Sequence, residues 1–169
     1  GKVSLLYPRF IVDTNILIDL YWGDIIEKFF SLSYEFFSPD VIIDELFQPD
    51  GKELLSLGLK SYELSADGVR EVAHLAEQYR NIAINDLFAL TVAKITGLSL
   101  LTGDGHLRKL AELYRITVHG TLWVLDEMVC IGILKPVEAT CALCKMLRHG
   151  SRLPHQECEK RFRHWEKMK

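Results

Sequence analysis

The chain has 169 residues, of which 49% are hydrophobic and 25% are charged. This composition is ordinary for a globular protein, and the length suits one domain that buries roughly 70% of its unfolded surface. No apolar run reaches the roughly 18 residues that a membrane span needs. No signal-like leader is visible, and four cysteines are too few for a disulfide framework. We therefore expect a cytoplasmic protein with no membrane contact.

The charge is unevenly distributed along the chain. Residues 1–144 carry 12 Lys and Arg against 20 Asp and Glu, a net charge of −8, whereas residues 145–169 carry 8 against 3, a net charge of +5. An acidic body is unlike a simple nucleic-acid coat protein, and it is compatible with carboxylates gathered around divalent cations. The basic tail either guides a single-stranded RNA backbone or is a solvated terminal helix. The residues that would offer charge and stacking surface for RNA are Arg148, Arg152, Lys160, Arg161, Phe162, Arg163 and Trp165.

The first predicted element is a short buried strand that turns directly into a helix. Phe10–Val12 are apolar and stop at Asp13, and apolar residues then resume at helical spacing over 16–20. Further strands are predicted at 36–37, 59–64, 98–102 and 116–118. Helices are predicted between them, at about 25–30, 41–46, 67–79, 85–96 and 107–114.

Several residues mark the ends of these elements. Ser38–Asp40 predicts a turn that begins a helix, and Pro49–Gly51 predicts the end of that helix. Asn85 is expected to cap the buried helix that follows it, and Gly97 to end that helix in a left-handed conformation.

The alternation of strands and helices predicts an α/β fold. We expect a parallel sheet of four or five strands, flanked by helices on both faces. From Leu122 onward the pattern is helical only. The prediction is therefore one domain over residues 1–135, with residues 136–169 as a helical C-terminal extension packed on it.

Four acidic residues lie at junctions that such a sheet brings to one edge. Asp13 ends the first strand, Glu45 lies on the helix after the second, Asp86 begins the buried helix, and Asp104 follows a late strand. Ligands of open parallel sheets bind outside the carboxyl ends of the strands, and hard divalent cations prefer carboxylate oxygens. Singly, each acid also has a structural explanation, as a helix cap, a helix-dipole partner, a turn residue or a solvated charge.

The order and local context of these acids resemble the PIN domain, the nuclease fold used by VapC-type toxins. The resemblance rests on Val-Asp-Thr-Asn at 12–15, the acid in 41–46, Asn-Asp-Leu-Phe-Ala-Leu at 85–90 and Leu-Thr-Gly-Asp at 101–104. Residues 107–112 and 116–122 further resemble one PIN subgroup that is usually encoded beside a small partner protein. The similarity covers about residues 9–135.

The resemblance implies a metal-dependent endoribonuclease that hydrolyses RNA phosphodiester bonds with metal-activated water. It also implies that the protein is the toxin of a toxin–antitoxin pair, that it forms a homodimer, and that a small antitoxin protein inhibits it. One or two Mg²⁺ or Mn²⁺ ions would be bound by Asp13, Glu45, Asp86 and Asp104, with Asn15 and Thr102 supporting them.

Three further residues near these acids need separate comment. Asp44 competes with Glu45, because consecutive helical residues do not face the same point, and the family position favours Glu45. Arg108 and Lys109, directly after Asp104, are positioned to contact the RNA.

Three alternatives remain beside this interpretation. The first is a catalytically silent PIN-fold module that binds RNA or a protein partner. The second is a zinc site from Cys141, Cys144, His155 and Cys158, which we disfavour because residues 139–147 predict a helix whose two cysteines pack the core. The third is a phosphatase-like domain, weakened because the second acid that it needs is Asn15 here.

Overall fold

The computed structural model of the chain describes residues 7–168, and strands and helices alternate along it as predicted. The strands are β1 (Arg9–Val12), β2 (Glu35–Pro39), β3 (Lys60–Tyr62), β4 (Ser99–Leu101) and β5 (Val118–His119). The helices are α1 (Thr14–Trp22), α2 (Ile26–Phe30), α3 (Asp40–Glu45), α4 (Gly51–Leu57), α5 (Ala66–Gln78), α6 (Ile84–Thr96), α7 (Gly105–Leu113), α8 (Thr121–Ile131), α9 (Pro136–Arg148) and α10 (His155–Lys167).

The five strands form one parallel sheet in the order β3-β2-β1-β4-β5. Strand β1 lies in the centre, where Phe10 pairs with Phe36 of β2 and Ile11 pairs with Leu100 of β4. The strand order reverses between β1 and β4, so the crevice outside their carboxyl ends is the position where ligands bind in doubly wound sheets. The predicted α/β fold is confirmed.

Helices cover both faces of the sheet because side chains alternate along each strand. Phe10 and Val12 pack into one apolar cluster, to which α9 contributes Leu143. Ile11 packs into the other, which is formed largely by α5, α6 and α7. The C-terminal helices thus share a core with the first strand, while the proposed boundary at residue 135 stays a prediction. Over residues 7–168, no helix has the length and hydropathy of a membrane span.

Helix α3 ends before Pro49–Gly51, but the sequence analysis missed the further helix α4, which begins at Gly51. Asp50 caps α4 by accepting a hydrogen bond from the Lys52 backbone N–H at 3.2 Å. A Cβ atom on Gly51 would lie 2.0 Å from the carbonyl oxygen of Ile43. Only glycine therefore allows the close approach of α4 to α3.

Other boundaries differ by a few residues. Ser38 and Pro39 lie in β2 and not in a turn. The reason is that they pair with Ser61 and Tyr62 of β3. The Ser38 hydroxyl also donates a buried hydrogen bond of 2.6 Å to the carbonyl of Val12 in β1. The strand predicted at 116–118 lies at Val118–His119, and β3 and β4 are shorter than predicted.

Two helices also need comment. Helix α6 begins at Ile84, so Asn85 is inside the first turn and is not the cap, whereas the left-handed end at Gly97 is confirmed. In α9 the cysteines do not pack the core as predicted. Cys141 is exposed and Cys144 is half-buried, because the neighbouring Ala142 and Leu143 occupy the buried face.

Candidate active site

Asp13 is the fully buried centre of the crevice. It follows β1 directly, and its backbone N–H still donates to the carbonyl of Leu101 at 2.9 Å. Its Oδ1 accepts the backbone N–H of Thr14 and its Oδ2 accepts the Thr102 hydroxyl, both at 2.8 Å. A buried carboxylate is costly unless such bonds satisfy it. The strand end and these two donors therefore hold its oxygens in fixed positions.

Asp86, in the first turn of α6, is hydrogen-bonded to Asp13. Burial, followed by the charges of Asp13 and Asp104, raises the pKa of Asp86 to about 7. Burial also raises the pKa of Asp13, although its bonds from Thr102 and Thr14 oppose that rise. Two carboxylates at such close range do not both ionise readily. The pair therefore shares a proton up to about neutral pH.

Asp104 lies next to this pair, at the start of α7. Its Oδ1 caps the helix by accepting the backbone N–H of Leu107 at 2.9 Å. Its own N–H donates to the Thr102 hydroxyl at 3.1 Å, so Thr102 connects Asp104 with Asp13. The charge of Asp104 raises the pKa of both other aspartates. Asp13, Asp86 and Asp104 thus form one electrostatic unit.

Glu45 stands apart from that unit, exposed at the end of α3. Its Oε2 accepts a hydrogen bond of 2.5 Å from the side-chain amide of Asn85, the residue before Asp86. Glu45 and Asn85 line a cavity of about 400 Å³. Of the two competing acids, Glu45 and not Asp44 is thereby linked to the start of α6. Asn85, predicted only as a cap, is a site residue that the sequence did not indicate.

The donor set fits a hard divalent cation with few protein ligands. Within residues 7–168, no three side chains of His, Cys, Asp or Glu come together in a group that could hold a metal ion. Mg²⁺ usually keeps several waters and uses one or two carboxylates, and Asp13 with Asp86 provides two. A shared proton is what such a pair holds when no cation neutralises it.

The remaining predicted residues lie around the crevice. Asn15 is exposed and lines a second cavity, of about 500 Å³, together with Asp104. Arg108 lines a third cavity, of about 490 Å³, beside His119. Burial, and then the charge of Arg108, lowers the pKa of His119. Lys109 is exposed on the same helix, about 100° further around its axis.

Asp19 is a second residue that the sequence analysis missed. It accepts hydrogen bonds of 2.7 Å from the hydroxyls of both Thr121 and Ser151, and burial raises its pKa. It therefore joins α1 to the start of α8 and to the segment before α10. The only sequence feature that could have pointed to Asp19 is its spacing from Asn15. Residues four apart lie on the same face of a helix, here α1.

The fold and the crevice together define a doubly wound α/β domain with an acidic site at its switch point. A model of a PIN-domain family matches residues 9–167. The chain belongs to the PIN-domain family, and the match extends through α10, beyond the residues 9–135 that the motifs covered. PIN domains are generally nucleases.

Comparison with solved structures supports the same fold. The chain is similar to a PilT N-terminus domain protein from the hyperthermophilic archaeon Sulfolobus solfataricus, with a TM-score of 0.51 and 11% sequence identity. The similarity covers 70% of this chain and 92% of that chain. No curated protein matches the chain.

Proposed function

We propose that the protein is a metal-dependent endoribonuclease, and that the acidic crevice is its active site. The observation that carries the proposal is the hydrogen-bonded pair of Asp13 and Asp86 with Asp104 beside it. Carboxylates clustered in this way repel one another and destabilise the fold unless a cation or a proton neutralises them. The family to which the chain belongs also consists generally of nucleases.

Each residue has a distinct task in this proposal. Asp13 and Asp86 hold Mg²⁺ or Mn²⁺, as one ion or two, and Asp104 adds negative charge beside them. When bound there, the cation supplies the positive charge that stabilises the oxygens of a phosphodiester undergoing in-line displacement. Thr102 keeps the Asp13 carboxylate oriented through its 2.8 Å bond. No side-chain nucleophile is required.

Glu45 and Arg108 act from the two sides of this centre. Glu45, held by Asn85, orients water or RNA at the rim. Arg108 contacts the RNA phosphates from the neighbouring cavity. Lys109, on a different side of α7, has the weaker support for such a contact.

The biological setting that we propose is a toxin restrained by a small antitoxin, with the toxin as a homodimer. The resemblance of residues 107–122 to a partner-associated subgroup supports it. Two exposed apolar side chains also support it: Phe47, which lines the same cavity as Glu45, is 91% exposed, and Ile84, the residue before Asn85, is 56% exposed. Exposed apolar residues close to a functional site are typical of surfaces that a partner covers.

RNA cleavage tests the proposal directly. Purified protein is incubated with single-stranded RNA and Mn²⁺ or Mg²⁺, beside Asp13→Asn, Asp104→Asn and the matched control Asp67→Asn, whose aspartate lies in the first turn of α5. We expect cleavage that EDTA abolishes, that both site variants lose and that the control retains. Cleavage that persists in both site variants would contradict the proposal.

One observation favours a second candidate, a PIN-fold module that binds RNA or a protein without cutting. It is the lack of a three-ligand group among the described residues. The same assay separates the two, because RNA that is bound but intact at saturating Mn²⁺ supports the module.

A further inference from the structure

Three cavities lie in series along the carboxyl edge of the sheet. The cavity that holds Glu45 shares Ile18 with the cavity that holds Asp104. The latter shares Gly103, Gly105 and Arg152 with the cavity that holds His119. We call the surface lined by these three adjoining cavities, from Glu45 past Asp104 to His119, the edge groove.

Two pairs of stacked rings line the edge groove, one in the cavity of Asp104 and one in the cavity of His119. In the first, the rings of Trp22 and His149 are 4.1 Å apart and inclined by 18°. In the second, the rings of His119 and Trp123 are 4.0 Å apart and inclined by 12°. Trp22 and His149 come from distant parts of the chain, whereas His119 and Trp123 are four residues apart, at the end of β5 and in the first turn of α8. Flat ring surfaces of this kind are the usual platforms for unpaired nucleobases.

The backbone between the two ring pairs is open. Gly103 and Gly105 belong to both cavities, and a Cβ atom built on either would meet no atom within 4 Å. Asp104 lies between these glycines. A ligand that spans the two ring pairs would therefore pass Asp104 over two glycines that present no side chain of their own.

Positive charge borders the same stretch. Within residues 7–168, neither Arg108 nor Arg152 forms an ion pair with a carboxylate. Arg161, by contrast, is bound to Asp126 and Glu157, each at 2.8 Å. Two unpaired guanidinium groups beside a groove are suited to the phosphates of a nucleic-acid backbone.

The segment that carries Arg152, just before α10, is fixed by hydrogen bonds. The hydroxyl of the neighbouring Ser151 donates to the carboxylate of Asp19, which also accepts the hydroxyl of Thr121 at the start of α8. These bonds fix the segment before α10 against α1. The position of Arg152 beside the groove is therefore set by bonds within the fold.

We propose that the edge groove binds single-stranded RNA, with one unpaired base stacked at Trp22 and His149 and another at His119 and Trp123. The intervening phosphates then pass Asp104. Double-stranded RNA is excluded, because its bases are stacked on one another and cannot meet the rings. The inference deepens the proposed function, on which the position of the cut phosphate rests, but the stacking itself does not depend on cleavage.

Binding tests it separately from cleavage. Fluorescence anisotropy measures the affinity of a labelled ten-nucleotide RNA for the Asp13→Asn protein at fixed Mg²⁺ and salt. In that background we expect His149→Ala and Trp123→Leu each to weaken binding by about 5- to 150-fold, the range for one lost base stack. The matched control is His74→Ala, an exposed histidine on α5, which should leave the affinity unchanged.

An abasic (baseless) strand of equal length shows whether a loss of affinity comes from base stacking. The Asp13→Asn protein with and without His149→Ala should bind this strand equally, because only backbone contacts remain. Arg152→Gln should lower the salt dependence for both strands by about 0.7 in log–log slope, whereas Lys52→Gln on the exposed surface of α4 should not.

Two results would overturn the proposal. One is unchanged affinity for the normal strand in both ring variants, with folding checked by circular dichroism. The other is an equal loss for the normal and the baseless strand. His119→Ala replaces Trp123→Leu if that variant does not fold. If the RNA binds in a base-dependent way but the wild type does not cleave it, the edge groove is supported and the nuclease proposal is rejected. If the wild type cleaves RNA but the ring variants bind it unchanged, the nuclease proposal is supported and the edge groove is rejected.

Discussion

Replacing Asp86 by asparagine should stabilise the metal-free protein, although it removes a proposed active-site residue. Asp86 is hydrogen-bonded to Asp13 and lies within the field of Asp104. An asparagine amide can still donate to Asp13, as the protonated carboxyl does, but it carries no charge. Asp86→Asn therefore mimics the protonated form at every pH.

The size of the effect follows from the pKa of Asp86. The rise from 3.8 to about 7 corresponds to an upper limit of roughly 4 kcal/mol, at about 1.36 kcal/mol per pKa unit. Asp86 is only half-buried, and water screens part of this cost, so we expect about 1–2 kcal/mol. Because the folded-state pKa is raised, the contribution of Asp86 to stability is fully present below about pH 4 and is lost as the pH rises through about 7.

Urea denaturation in EDTA at several pH values between 4 and 8 measures this effect. The free energy of unfolding of Asp86→Asn relative to the wild type should increase from pH 4 to pH 7 and then level off. Asp67→Asn, an exposed aspartate in the first turn of α5, should show no such rise. A pH-independent difference for Asp86→Asn, or one equal to that of Asp67→Asn, would refute the reasoning.

Three further substitutions test the surroundings of the site. Thr102→Val leaves a buried oxygen of Asp13 without its donor, so it should lower the free energy of unfolding by about 1–3 kcal/mol in urea titrations. Thr102→Ser, which keeps the hydroxyl and loses only a methyl group, should cost less. Asp19→Ala should cost about 1–3 kcal/mol by the same measurement, since two hydroxyls lose their acceptor; Asp19→Asn, which retains an acceptor, should cost less. Glu45→Gln should slow RNA cleavage by about tenfold or more, and Asp44→Asn should not. Equal effects of the last two would contradict the assignment of Glu45.

The sequence was informative where neighbouring residues determine the structure. The apolar run before Asp13 and the helical spacing after it predict the strand-to-helix junction that β1 and α1 form. The acids at such junctions follow from the same pattern, because parallel strands align their carboxyl ends. The sequence also predicted that Gly97 ends α6, because the left-handed conformation of a terminal glycine depends on neighbouring residues alone.

The sequence was uninformative where contacts join distant segments. The bond from Ser151 to Asp19 spans 132 residues, and the bond from Asn85 to Glu45 spans 40. No local pattern encodes either. The overlooked helix α4 has a different cause: Pro49–Gly51 resembles the end of a helix, and the cap formed by Asp50 becomes visible only with the buried position of Leu54.

Calorimetric titration of Mn²⁺ is the most direct test of a shared cation site at Asp13 and Asp86. We predict saturable binding by the wild type at pH 8, with an affinity that falls by up to about tenfold per pH unit below about pH 7, because binding must release the shared proton. Asp13→Asn should abolish it, Asp86→Asn should weaken it at least tenfold by loss of one carboxylate ligand, and Asp67→Asn should leave it unchanged. Equal binding by all four proteins, or none by the wild type at pH 8, would contradict the claim.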